Sequence, residues 1–152
     1  MAEKFSTTYA LRYKSEFAGK RSLPSLGLAK VITDRDNTQL LKIPDAQEIK
    51  DALFSIDSIK TPGPDGFGAD FFKQNWALLR QDFTNCVLEF FRNGKILKEI
   101  NHPFITLILK WNNPSTTYHY RPISLCSTIY KTISKILVNR LHPLLDKLVS
   151  PF

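Results

Sequence analysis

Residues 104–141 read FITLILKWNNPSTTYHYRPISLCSTIYKTISKILVNRL, and they decide the fold class. FITLIL is an apolar run of strand length, NNPSTTYHY has turn chemistry, and RPISL is a second short strand opened by Arg121-Pro122. Beyond it Ile129, Ile133, Ile136, Leu137, Leu141 and Leu144 fall at three- and four-residue spacings, which predicts one apolar stripe of a long helix. Lys131, Lys135, Asn139 and His142 take another face, assigned to solvent, and Ser127 is placed to cap the start. The two strands put Lys110 at the end of one and Arg121 at the start of the next. The turn between them can bring the two side by side as a two-cation site. A strand pair set among helices predicts an α+β chain.

Working back from that stretch, Asp45 followed by Glu48 resembles a capping box, and Ile49, Ala52, Leu53 and Ile56 trace a helical face that should end near Ser58. Pro62, Gly63, Pro64, Asp65 and Gly66 then exclude both helix and ladder strand, because proline lacks the donor and glycine frees the backbone. The segment is a rigid loop, and by its composition alone a sharp turn explains it. Ala69, Phe72, Trp76 and Leu79 give one helical stripe; Phe83, Val87, Phe90 and Phe91 give the next, with Gly94 as its stop. Phe71, Phe72, Trp76, Phe90 and Phe91 are assigned to packing. In residues 23–44, leucines flank DRDN from Asp34 and suggest a short helix or turn. Residues 1–22 show no sustained period and read as a mobile N-terminal tail.

The chain has 152 residues, 43% of them hydrophobic, enough for one domain or a large piece of one with a sizeable core. No apolar run approaches the roughly 20 residues of a membrane span. Cys86 and Cys126 fit neither a zinc spacing nor a disulfide framework and read as small apolar residues in a reducing compartment. Glu3 and Glu16 speak against a transit peptide, and no apolar core of a secretory signal is present, so an intracellular chain is expected, nuclear or cytoplasmic. The net charge of +7 is unevenly spread: residues 1–91 carry twelve basic and twelve acidic side chains, residues 92–152 nine basic and two acidic. A basic half of this kind fits an anionic partner, nucleic acid above all, and equally a solubilising surface.

IKDALFSIDSIKTPGPDGF, the FF and W that follow, LEFFRNGKILKEIN, ITLILK and YRPISLCSTIYKTISKILVNRL stand in an order and spacing that resemble the reverse transcriptases of non-LTR (LINE-type) retrotransposons, especially the plant kind. The resemblance runs from about Asp45 to Pro151, and more weakly back to Leu23. It implies a right-handed polymerase with fingers first and palm after, and makes residues 23–152 a partial reverse transcriptase domain, N-terminal extension and fingers. It implies that Lys110 and Arg121 hold the triphosphate of an incoming deoxynucleotide. The pairing suits the chemistry: arginine offers phosphate a planar fork and lysine a point charge. The loop Pro62-Gly63-Pro64-Asp65-Gly66 resembles the segment that lies along the template strand. Tyr118 and Tyr120 suit base stacking and strand-edge packing alike. The partners implied are an RNA template, a DNA primer and deoxynucleoside triphosphates.

Two departures stand out. Leu109 occupies the place of a proline that would set the backbone angle aiming Lys110. More consequentially, polymerases of this kind hold two Mg²⁺ ions on aspartates, and after Arg121 the only acidic residue is Asp146, with no carboxylate within a helical turn. The family's aspartate-bearing blocks fall beyond Phe152, and SPF replaces the family's SPNQ at residues 150–152. The expectation is therefore a catalytically inactive fragment that binds no metal cofactor itself and could self-associate through surface a palm would cover. The alternatives are a non-catalytic RNA- or nucleotide-binding module and a functionless transposon relic.

Overall fold

The computed structural model describes residues 2–13 and 31–149. Its elements are α1 (Ala2–Tyr13), α2 (Asp34–Leu41), α3 (Ala46–Phe54), α4 (Ala69–Gln74), α5 (Trp76–Asn93), β1 (Phe104–Leu109), β2 (Tyr120–Leu125) and α6 (Thr128–Leu148). A 3₁₀ turn at Thr117–His119 precedes β2. The strands form one two-stranded sheet, so the described chain is helix-rich α+β. No helix among the described residues is long and apolar enough to cross a membrane. The chain divides into two compact units, one of residues 1–29 with 107–123 and one of 30–106 with 124–152.

The larger unit has the core. Ile49, Ala52 and Leu53 of α3, Ala69 of α4, Phe83 and Val87 of α5, and Ile133 and Ile136 of α6 are buried together. Each fully buried aliphatic side chain there contributes about 1.5–3 kcal/mol through removal from water. Phe72 fills the gap beside Phe83 with ring centroids 5.0 Å apart, and Trp76 meets Phe83 edge-on at 5.9 Å. Phe71 departs from its packing assignment in part: it is 39% exposed and lies 4.6 Å from the Phe67 ring.

Local signals explain most helix ends. The Asp45 carboxylate accepts from the Glu48 N–H at 2.8 Å and starts α3. Gly94 takes the left-handed conformation, φ 66°, and its N–H closes α5 on the Phe90 carbonyl. Ser127 Oγ accepts from the Tyr130 N–H and starts α6. A complete capping box that the sequence reading did not single out starts α2. Thr33 Oγ1 accepts from the Asp36 N–H, and Asp36 accepts from the Thr33 N–H. The Thr33 N–H and the Thr33 hydroxyl, both donating to the Asp36 carboxylate, with Lys147 at 3.1 Å, lower the Asp36 pKa to about 2. Because the folded value is depressed, this contribution is complete above the ordinary carboxylate range and is lost as pH falls towards 2.

Three expectations need correcting. The helical stripe from Ala69 to Leu79 is not one helix, because Asn75 ends α4 by donating its side-chain amide to the Phe71 carbonyl, and α5 begins at Trp76. Leu137 and Leu141, read as part of the buried stripe, are 38% and 46% exposed. They lie with Val138, Leu145 and Leu148 along an uncovered face of α6, while Ile133, Ile136 and Leu144 face inward. Finally, where residues 1–22 predict no element, residues 2–13 form α1. Residues 14–30, including Leu23, Leu26 and Leu28 of the expected lead-in, lie outside the described residues.

Candidate functional site

The smaller unit carries the two cations singled out in the sequence. Lys110 N–H donates to the His119 carbonyl at 2.8 Å just beyond the paired strands, which opposes Leu109 to Tyr120 and Ile108 to Arg121. Side chains alternate along a strand, so Lys110 and Arg121 stand on one face of the hairpin as diagonal neighbours. Such neighbours lie about 7–8 Å apart at the backbone. The same register turns the ring nitrogen of Pro122 away from β1, which is why this strand tolerates a proline. Both cations are exposed. Lys110 Nζ donates to the Tyr118 carbonyl at 2.9 Å, which holds the ammonium over the turn with donors left over. The Arg121 side chain has no hydrogen-bond or ion-pair partner among the described residues.

The two tyrosines part ways. Tyr120 packs, with Phe5 of α1 edge-on to its ring at 5.0 Å, whereas Tyr118 is 62% exposed. Tyr9 of α1, itself buried, shares its one hydroxyl proton between the carbonyls of Thr117 and Tyr120, each at 3.3 Å, and so fixes the start of β2 next to Arg121.

The loop Pro62 to Gly66 belongs to the larger unit and is held from outside as much as from within. Gly66 N–H closes a turn on the Gly63 carbonyl at 3.1 Å, and Asp65 accepts from the Phe67 N–H. Gly66 takes φ +74°, a backbone region that glycine enters without cost. Gly63 has a different reason: a Cβ there would lie 2.5 Å from the Ser127 nitrogen and 2.7 Å from the Cys126 carbonyl carbon. The loop thus lies directly on the backbone at the start of α6. Thr128 Oγ1 donates to the Phe67 carbonyl at 2.8 Å, and Lys131 Nζ donates to the Thr61 carbonyl at 2.5 Å. Lys131 is therefore a strut under the loop, not the solvated charge its place on the helix suggested.

The carboxylates do not suit the Mg²⁺ pair that the resemblance implies. Asp146 is exposed on α6 with His142 and Lys147 as helical neighbours, and no three of His, Cys, Asp and Glu among the described residues gather where they could hold a metal. The donor set among the described residues does not fit that chemistry.

Sequence reasoning also missed Arg140. It sits in the NRL end of the stretch that decided the fold, and its guanidinium forks onto Glu48 with both contacts at 2.8 Å. It further donates to the carbonyls of Leu40 and Lys42 and lies 5.5 Å from the Phe91 ring. Arg140 ties α6 to the starts of α3 and the end of α2.

No family model matches the chain. The chain is similar to a transposon-borne protein, the transposon TX1 uncharacterized 149 kDa protein of Xenopus laevis, at 29% identity over 121 residues. The match takes in 80% of this chain and 9% of the Xenopus protein.

Proposed function

We propose that the chain is the N-terminal extension and fingers portion of a LINE-type retrotransposon's RNA-directed DNA polymerase, and that Lys110 and Arg121 hold the triphosphate of an incoming nucleotide. The similarity to a transposon protein supports a transposon origin. The observation that carries the finer reading is the hairpin register, which gives two exposed cations of different shape on one face, with Arg121 unengaged. A triphosphate has oxygens for both, a fork for two of them and a point charge for another.

Arg121→Lys keeps the charge and removes the planar fork, so it should weaken binding of a non-hydrolysable deoxynucleoside triphosphate analogue by about 1 kcal/mol, roughly fivefold. Titration by fluorescence at two salt concentrations checks it, with Lys98→Ala as a comparison for general charge. Equal small losses for the two variants would leave only a diffuse basic surface and remove the nucleotide site.

Chemistry on that nucleotide needs carboxylates that the described residues do not gather. The 152-residue polypeptide, given primed RNA, deoxynucleotides and Mg²⁺ or Mn²⁺, should extend no primer in a gel assay. Template-dependent extension that survives repurification would show a metal site of another composition. The basic excess of residues 92–152 supports a second reading, a binding module without catalysis; nucleotide or RNA binding without extension is its signature.

A further inference from the structure

We propose that a groove in the larger unit, between the first half of α3 and α5, binds an extended protein segment through an acidic side chain. The groove has a volume of about 420 Å³, with Lys50 on its α3 wall and Arg80 on its α5 wall. None of its residues serves the nucleotide reading.

The first ground is an unmet hydroxyl. Thr84 lines the groove at 8% exposure, and its side chain has no hydrogen-bond partner among the described residues. A helical threonine can return its hydroxyl to the carbonyl four residues back, as Thr132 does to Thr128 at 2.9 Å and Thr38 to Asp34 at 2.8 Å. Thr84 makes no such bond. No side-chain polar atom among the described residues is both sealed from solvent and unpartnered, so this hydroxyl opens onto the groove, where a ligand atom can meet it.

Charge sets the sign of the ligand. Lys50 and Arg80 have no ion-pair partner among the described residues. Lys50 lies 5.6 Å from the centre of the Phe54 ring, a contact that leaves its charge unneutralised. No Asp or Glu lines the groove, and Asp51, next to Lys50 in sequence, accepts from the Gln47 amide at 2.7 Å. Arg80 offers a carboxylate a planar fork, and Lys50 a point charge.

Length and hydrogen-bond character decide what carries that carboxylate. The lining positions on α5 run from Trp76 to Leu88, a span of about 18 Å at the helical rise. An extended peptide covers that distance in about five residues. Gln81 donates to Asn85 Oδ1 at 3.2 Å, and the Gln81 oxygen and the Asn85 amide hydrogens have no partner among the described residues. Free acceptors beside free donors suit a peptide backbone, which brings both an N–H and a C=O, whereas the phosphates of a nucleic acid only accept. Trp76 and Leu88 add apolar surface for a side chain next to the acidic one.

Nuclear magnetic resonance titration of the whole chain with the peptide acetyl-Ser-Leu-Ser-Glu-Ser-amide tests this, because alternation in an extended chain puts its Leu and Glu on one side. The indole N–H resonance of Trp76 should shift and saturate with a Kd of about 1 mM or tighter, while that of Trp111, the other tryptophan, should stay in place. The same peptide with Gln for Glu should bind about fivefold more weakly or worse. Arg80→Gln should weaken the Glu peptide by a similar factor and leave the Gln peptide within about twofold. Thr84→Val should weaken both peptides without lowering the melting temperature, since the hydroxyl has no partner to lose. A melting temperature several degrees lower would show that the hydroxyl serves the fold and would overturn the proposal. No saturable shift of Trp76 by about 10 mM peptide would do so too, as would equal affinity for the two peptides. Oligouridine that shifts Trp76 at lower concentration than the peptide would make the groove a nucleic-acid surface and overturn the assignment to protein. Arg121→Lys should leave peptide binding intact, so failure of the nucleotide site and failure of the groove are read separately.

Discussion

Gly63→Ala should destabilise the larger unit by about 3 kcal/mol or more, the upper end of what overpacking costs, and lower its melting temperature by roughly 6–12 °C. The reason is the position of the added methyl, 2.5 Å from the Ser127 nitrogen and 2.7 Å from the Cα of the same residue. Those atoms are backbone at the capped start of α6, so no side chain can swing aside. Relief would have to part the loop from the helix, breaking the bonds from Thr128 to Phe67 and from Lys131 to Thr61. Two neighbouring glycines calibrate the effect. Gly68→Ala meets no atom within 4 Å at an ordinary φ of −76° and should cost at most about 0.5 kcal/mol. Gly66→Ala is also unobstructed but must hold φ +74°, a cost of roughly 1–2 kcal/mol. Thermal melts that rank Gly63 below both would show close backbone approach to be the reason for glycine there. A Gly63→Ala melt within a degree or two of the unmodified chain would sink that account.

The features legible in the sequence were those written into neighbouring residues. Asp45, Gly94 and Ser127 each act within four residues of themselves, and each stands where a helix starts or stops. The strand pair was legible for the same reason, two apolar runs with turn residues between. What escaped was set by distant partners. Glu48 stands three residues after a cap and reads as half of a capping box, yet its carboxylate goes to Arg140, 92 residues away. Lys131 reads as a solvated helix charge because Thr61, its partner, is 70 residues off in sequence. The exposure of Leu137 and Leu141 has no local sign either, since a helical stripe wider than its partners looks the same in sequence as one fully covered. The hairpin cations fall between these cases: their shared face follows from register, and register from one bond across the turn.

Arg140→Ala is expected to cost about 2–4 kcal/mol, more than any surface ion pair, and Arg140→Lys to recover less than half of it. The side chain is 11% exposed and Glu48 33%, so the pair is sheltered, though not dry, which discounts the full cost of breaking a buried pair. Alanine would leave the Glu48 carboxylate without its fork, the carbonyls of Leu40 and Lys42 without their donor, and the Phe91 ring without its cation. Lysine can supply one charge to one of these partners. It cannot reach a carboxylate in two places and two carbonyls together, because that needs the five donors of a planar guanidinium. Glu48→Gln separates charge from geometry: it keeps an acceptor for one arm and should cost about half as much as Arg140→Ala. Chemical denaturation of the four proteins measures the series, with the double variant Arg140→Ala/Glu48→Gln as the closing corner of a cycle. A coupling energy of about 1 kcal/mol or more would establish that α6 is fastened to α3 through this pair. Additive losses would mean that the carbonyls and the Phe91 ring, not Glu48, are what hold Arg140.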